Sequence, residues 1–131
     1  MLEVMMMGTK VPALKNNKQA MVLPNGRPML RNSKAVTQYI GTLRSRIQDE
    51  MRSKGVEMTA APVEVDCVVY MYSASGKMPK SDLDNAYTTV QEALEGTYIK
   101  DDRQVMAFSA KKVLVNDRKY QGVKMKVWEQ Q

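Results

Sequence analysis

Residues 62–72 read Pro62-Val63-Glu64-Val65-Asp66-Cys67-Val68-Val69-Tyr70-Met71-Tyr72. Val63, Val65, Cys67, Val69 and Met71 fall on every second position, the spacing at which an extended chain returns its side chains to one face. This segment is a strand with one buried side, and the rest of the fold is read outward from it. Upstream, Val36, Tyr39, Ile40, Leu43, Ile47 and Met51 step by three or four, which predicts a helix with one buried face. Asn32-Ser33 supplies its cap, it runs to about Lys54, and Gly55 stands where a helix stop belongs. Downstream, Ser73 to Lys80 is a basic loop. A second helix follows from about Leu83 to Glu95, with Leu83, Tyr87, Val90 and Leu94 as its inner stripe and Gly96 at its end.

The flanks complete the pattern. Leu2 to Met7 reads as a first strand, and Lys10 to Gln19 as polar and irregular. Ala20–Leu23 and Pro28–Leu30 flank Pro24-Asn25-Gly26-Arg27, a hairpin signal. After a turn at Lys100-Asp101-Asp102-Arg103 comes a strand from Gln104 to Val115, then a turn at Asn116-Asp117 and a last strand from Tyr120 to Trp128. Two long strands joined by so short a link are expected to pair antiparallel with each other. The fold class is α+β: a small, mostly antiparallel sheet with two main helices packed on it, in a single domain spanning residues 1–131.

Composition removes several chemistries. The chain has no histidine, which excludes Ser-His-Asp, Cys-His and His-ligated zinc sites. One cysteine, Cys67, makes neither an internal disulfide nor a Cys-rich zinc site. No Gly-rich phosphate loop is present. The longest apolar runs fall far short of the roughly 20 residues that span a bilayer, and the N-terminus lacks the layout of a secretory signal. No membrane association and a cytoplasmic location are expected. What remains for catalysis is carboxylate, lysine, tyrosine and hydroxyl, and carboxylates favour hard ions such as Mg²⁺ or Mn²⁺.

Charge is unevenly spread. The net charge is +6, from 20 basic and 14 acidic residues. Between Ser81 and Asp102 six acids stand against Lys100 alone, so the rest of the chain is strongly basic and suits a polyanionic partner. Within the acidic stretch, Asp82 and Asp84 open the second helix. They converge only if Asp82 is still extended there, since two positions apart in a regular helix diverge by roughly 200°. Asp101 and Asp102 precede a strand that can lie beside residues 62–72, which would bring the second pair of acids to the first. Carboxylates brought that close repel unless a cation neutralises them. The spacing alone leaves another reading open: Ser81-x-x-Asp84 fits a capping box, and Asp101-Asp102 fits an exposed turn.

The two acidic stretches, Asp82-Leu83-Asp84-Asn85 and Asp101-Asp102-Arg103-Gln104-Val105, resemble the D-L-D-N and D-D-x-Q-V steps of the RusA family of Holliday junction resolvases, found in bacteria and their phages. The early Gly8…Pro12 segment, the basic region through Arg31 and the helix before the core strand also fit. The resemblance implies a homodimer that cuts DNA four-way junctions, and other branched DNA, with Mg²⁺ or Mn²⁺. By position it implies Asp82, Asp84 and Asp102 as metal-binding catalytic residues, with Asp101 as a further candidate ligand. The family's helix lysine is replaced here by Thr88, so Lys80 and Lys77 in the preceding loop become candidates for the missing cation. That departure also keeps a non-catalytic branched-DNA-binding protein in view as the alternative. Lys10, Lys15, Lys18, Arg27, Arg31 and Lys34 are candidate contacts to backbone phosphates, with Lys77 beside them. An apolar strand near the N-terminus is the candidate pairing surface of the dimer.

Overall fold

The structure, a computed structural model, describes residues 1–12, 18–22, 24–26, 28–80 and 83–131, with the side chains of 18–22 and 28–32 left aside. The strand read first is there as β4, Val63–Tyr72, and its odd-numbered residues are all buried. It sits inside a four-stranded sheet. On one side it pairs antiparallel with β6 (Gly122–Glu129), which pairs in turn with the edge strand β1 (Leu2–Met7). On the other side it pairs parallel with β5 (Val105–Val115), the opposite edge. A separate hairpin joins β2 (Lys18–Val22) to β3 (Pro28–Asn32), as the Asn-Gly step predicted, with β2 beginning inside the stretch expected to be irregular. The fold is α+β, with a mostly antiparallel sheet and two helices.

One pairing differs from expectation. β5 and β6 are adjacent in sequence but not in the sheet, because β4 lies between them. The link carries a 3₁₀ turn, Arg118–Tyr120, which passes the end of β4 with the Arg118 guanidinium 5.4 Å from the centre of the Tyr72 ring. It is long enough to step over one strand. The step places Val123, Met125 and Val127 opposite Val69, Cys67 and Val65, and all six side chains are buried. A direct β5–β6 hairpin would leave β4 without its central position, and its fully buried face without a neighbour on that side.

Both helices pack on the face formed by these residues. Helix α1, Lys34–Lys54, is capped by Ser33, whose hydroxyl accepts from the Val36 N–H, and is ended by Gly55 at φ 65°. Val36, Tyr39, Ile40, Leu43 and Ile47 are buried as the spacing required, with Met51 packed at the rim. Helix α2, Leu83–Leu94, crosses between the parallel strands β4 and β5, which is what a parallel neighbour demands. Its Tyr87 ring stacks on Phe108 of β5, with centroids 4.0 Å apart and planes 8° from parallel.

Cys67 is buried, and burial first, with the Asp66 charge adding to it, pushes its thiol up to about 12. It is a small apolar filler in this core. Gly122 opens β6 where β1 comes closest: a Cβ there would lie 2.2 Å from the Met6 carbonyl oxygen, at a φ of 150°. The obstacle is backbone and cannot rotate away. Gly122→Ala is therefore expected to cost about 2–3 kcal/mol through overpacking. Urea unfolding measures it, and an unchanged midpoint would disprove the close approach of β1 and β6.

Candidate active site

Helix α2 and the stretch after it carry Asp84, Glu92, Glu95, Asp101 and Asp102. Asp84 lies exposed in the first turn, next to buried Asn85. The chain leaves the helix at Leu94 and folds back on itself, with the Tyr98 and Ile99 N–H groups donating to the Leu94 carbonyl. It passes Thr59 at Ile99 before entering a 3₁₀ turn, Asp102–Gln104. Asp102 is the first residue of that turn and is exposed. Asp82 falls outside the described residues.

The two acidic motifs therefore occupy opposite ends of α2. With a rise of 1.5 Å per residue, Asp84 and Leu94 are about 15 Å apart along the axis. Asp102 belongs to the far end, where its charge is felt by Glu95. Burial first, then repulsion from Asp102, Glu92 and Asp101, raises the Glu95 carboxyl above its ordinary range, with Arg44 acting the other way. Among the described residues no group of three or more acids, or acids with Cys67, could hold a metal ion. The donor chemistry fits a hard divalent cation, since every ligand on offer is a carboxylate oxygen. The described part of a single chain does not close around one.

The far end is firmly built. Asp101 caps the 3₁₀ turn: its Oδ1 accepts from the Arg103 N–H at 2.8 Å, and the Arg103 guanidinium holds both of its oxygens at 3.1 and 2.9 Å. These bonds hold the Asp101 carboxyl well below the usual carboxylate range. The carboxamide of Gln104 completes the capping box. Arg44, reaching from α1, donates to the carbonyls of Glu92 at 2.9 Å and Glu95 at 3.3 Å, which satisfies the C-terminal end of α2 and faces its dipole. The roles of Gln104, Arg44 and Glu95 were missed by sequence reasoning. Gln104 carried a signal as part of the D-D-x-Q-V step, and Arg44 as a cation adjoining a buried stripe. Glu95 carried none beyond its charge.

The near end is tied to the N-terminal segment. Thr89 donates to the Pro12 carbonyl at 2.6 Å, which brings the end of the Gly8–Pro12 stretch, in which Lys10 is exposed, against the middle of α2. Thr88, at the position of the family's lysine, donates back to the Asp84 carbonyl at 2.9 Å. Lys77 and Lys80 are exposed in the loop before the helix, and Lys34 is exposed at the start of α1. Lys18 and Arg31 lie on β2 and β3, their side chains not described, and Lys15 and Arg27 fall outside the described residues. No helix among the described residues is long and apolar enough to cross a membrane.

Comparison with known proteins agrees with the motifs. No individual curated protein matches the chain. The family profile of endodeoxyribonuclease RusA matches residues 6–127, which includes both acidic motifs, the helix between them, the whole of β4 and β5, most of β6 and the end of β1. The chain belongs to the RusA family of endodeoxyribonucleases.

Proposed function

We propose that this chain is a Mg²⁺-dependent, structure-selective endonuclease that resolves four-way DNA junctions as a two-fold dimer. In this reading Asp82 and Asp84 of one protomer meet Asp102 of the other. The observation that carries it is the separation of the two acidic motifs along α2. A site that needs both motifs, in a chain that holds them at opposite ends of a helix, is completed by setting two such helices side by side and antiparallel.

Strand β5 offers the surface for that arrangement. It is an edge strand, and its outer row of backbone donors and acceptors has no strand partner among the described residues. Phe108 and Leu114, opposite buried Val65 and Met71, lie on its helix-bearing face and are 52% and 38% exposed, and Met106, at the register shift that begins the strand, is 54% exposed. A long apolar edge is a template for pairing with another chain. A two-fold axis through Ala110, normal to the sheet, sets β5 antiparallel to its copy. Met106 then faces the partner's Leu114, and Phe108 faces the aliphatic stem of the partner's Lys112. The two α2 helices, each lying over its own β5, then run antiparallel across the axis. Asp84 of one approaches the Asp102 end of the other. This favours β5 over the N-terminal strand, where Leu2, Val4 and Met6 are already buried beneath α1.

A divalent cation held by these carboxylates would lower the pKa of an attacking water and take up charge on the scissile phosphate. Lys80 and Lys77, exposed in the loop before the helix, would orient that phosphate in lieu of the family lysine. Lys10, Lys15, Lys18, Arg27, Arg31 and Lys34 hold the backbone of the arms, selecting shape more than sequence. The two-fold symmetry of the dimer matches the pair of related scissile phosphates in a junction.

Asp82→Asn is expected to lower cleavage of a labelled synthetic junction by about 10²–10³-fold or more while leaving junction binding equal or tighter, since a charge that repels phosphate is removed. Loss of binding in parallel with cutting would contradict that role. A protein that binds junctions and never cuts them, with Mg²⁺ present or chelated, would instead be the non-catalytic binder. The shared site is tested by co-expressing two inactive chains, Asp84→Asn and Asp102→Asn. Their heterodimer keeps one site with every aspartate intact, so junction nicking returns; a mixture as dead as its components means that each site lies within one chain. Phe108→Asp places a charge in the proposed seam and should yield a folded monomer by light scattering, whereas an unaltered dimer would move the interface elsewhere.

A further inference from the structure

The D-D-x-Q-V step contains a glutamine whose carboxamide is bonded to backbone on both sides. Gln104 is half-buried, and all of its hydrogen-bonding groups are spent on backbone. Its Oε1 accepts from the N–H of Lys100 at 2.8 Å and of Asp101 at 2.9 Å. Its Nε2 donates to the carbonyls of Thr59 and Ala61, both at 2.9 Å. Two backbone donors on one side and two backbone acceptors on the other admit only one orientation of the carboxamide. No other uncharged side chain of this length offers that combination.

The two sets of partners belong to different parts of the fold. Lys100 and Asp101 open the turn that carries Asp102. Thr59 and Ala61 precede β4, and they are fixed in turn: Thr59 N–H donates to the Tyr98 carbonyl at 2.8 Å, and Ala61 N–H donates to the Thr59 hydroxyl at 3.0 Å. Gln104 thus bolts a four-residue turn to the lead-in of the central strand. Asp101 is drawn into the same structure as the cap of the turn and the partner of Arg103, which leaves Asp102 as the acid of the pair not committed to capping. A shallow hollow of about 250 Å³, lined by Ala60, Pro62, Asp101, Arg103, Gln104 and Met106, opens beside this lock at the β5 edge.

We propose that Gln104 is a positioning residue for the nuclease site, holding the turn so that Asp102 presents its carboxylate at a fixed place, and that Asp101 positions the turn with it and is not a metal ligand. This rests on Asp102 being a ligand, as argued above. Three carboxylates gather round one cation only if each is held against their mutual repulsion, and an exposed acid on a loose turn would swing away. The lock resists that motion with four bonds to groups that would otherwise be left partly buried and unpaired.

Three variants of the full-length protein test this. Gln104→Ala removes the lock. Gln104→Glu keeps the bonds to Lys100 and Asp101 but sets a carboxylate oxygen against the Thr59 and Ala61 carbonyls. Asp101→Asn keeps a good capping side chain while removing the charge. Mn²⁺ binding is followed by electron paramagnetic resonance, and junction cleavage is followed against Mg²⁺ concentration. Both Gln104 variants are expected to retain their circular dichroism and metal-free junction binding, to bind Mn²⁺ about 10- to 100-fold more weakly, and to regain cleavage as Mg²⁺ is raised. Asp101→Asn is expected to bind Mn²⁺ nearly as the unmodified protein does. Should Gln104→Ala fail to fold, Gln104→Glu decides. Unchanged Mn²⁺ affinity in a folded Gln104 variant overturns the positioning role. A loss in Asp101→Asn as deep as in Asp102→Asn makes Asp101 a ligand and overturns that half. If the unmodified protein neither binds Mn²⁺ nor cleaves, the metal reading itself falls and takes this one with it.

Discussion

The parallel pairing of β4 with β5 is the constraint from which the rest of the molecule follows. Parallel neighbours cannot be joined by a tight turn, so the chain must travel back along the sheet before it can start the second strand. Helix α2 makes that return. A helix used in this way has its first turn near the end of one strand and its last turn near the start of the next. Acids placed just before the helix and just after it are therefore held apart by its length. The geometry that makes the sheet is the same geometry that divides the acids, and it leaves the outer edge of β5 open beside them.

The two ends of α2 are finished differently. At the C-terminal end nearly every backbone group has a named partner: Leu94 takes the N–H groups of the reversing chain, Arg44 takes the carbonyls of Glu92 and Glu95, and Gln104 takes two N–H groups and two carbonyls. Such networks are rigid because any movement exposes a polar group to an apolar setting. They hold together Glu95, Asp101 and Asp102, acids that repel one another, and Arg44 and Arg103 compensate part of that repulsion. Toward the N-terminal end, Thr89 ties the helix to the segment after β1, Thr88 donates back to the Asp84 carbonyl, and Asp84, Lys77 and Lys80 are exposed.

The strands and helices could be read from the chain because each buries one face, and burial imposes its own period on the order of residues. Val63 to Met71 alternate because an extended chain alternates; Val36 to Ile47 step by three or four because a helix turns every 3.6 residues. Ser33 and Gly55 were legible for the same local reason, since a helix end must satisfy or release its own backbone. The acidic steps were legible as a pattern. What Gln104 and Arg44 do was not, because both Arg44 partners and the two carbonyls that Gln104 reaches are backbone groups 43–51 residues distant in sequence and leave no mark beside them. The order of the last two strands was misread, since a short link states only that a hairpin can form. Whether it does depends on which neighbour buries more, and β6 buries Val123, Met125 and Val127 only beside β4.

The chain alone determined the class of fold, the bounds of the two main helices and of the central strand to within a residue or so, the lack of histidine chemistry, and the acids available to a hard cation. All of these depend on residue type and near-neighbour spacing. Only the tertiary structure decided that β5 lies parallel to β4, and hence that Asp84 and Asp102 stand at opposite ends of one helix. Distance in space between residues far apart in sequence is set by the summed packing of the whole core, and no short stretch of residues contains that sum.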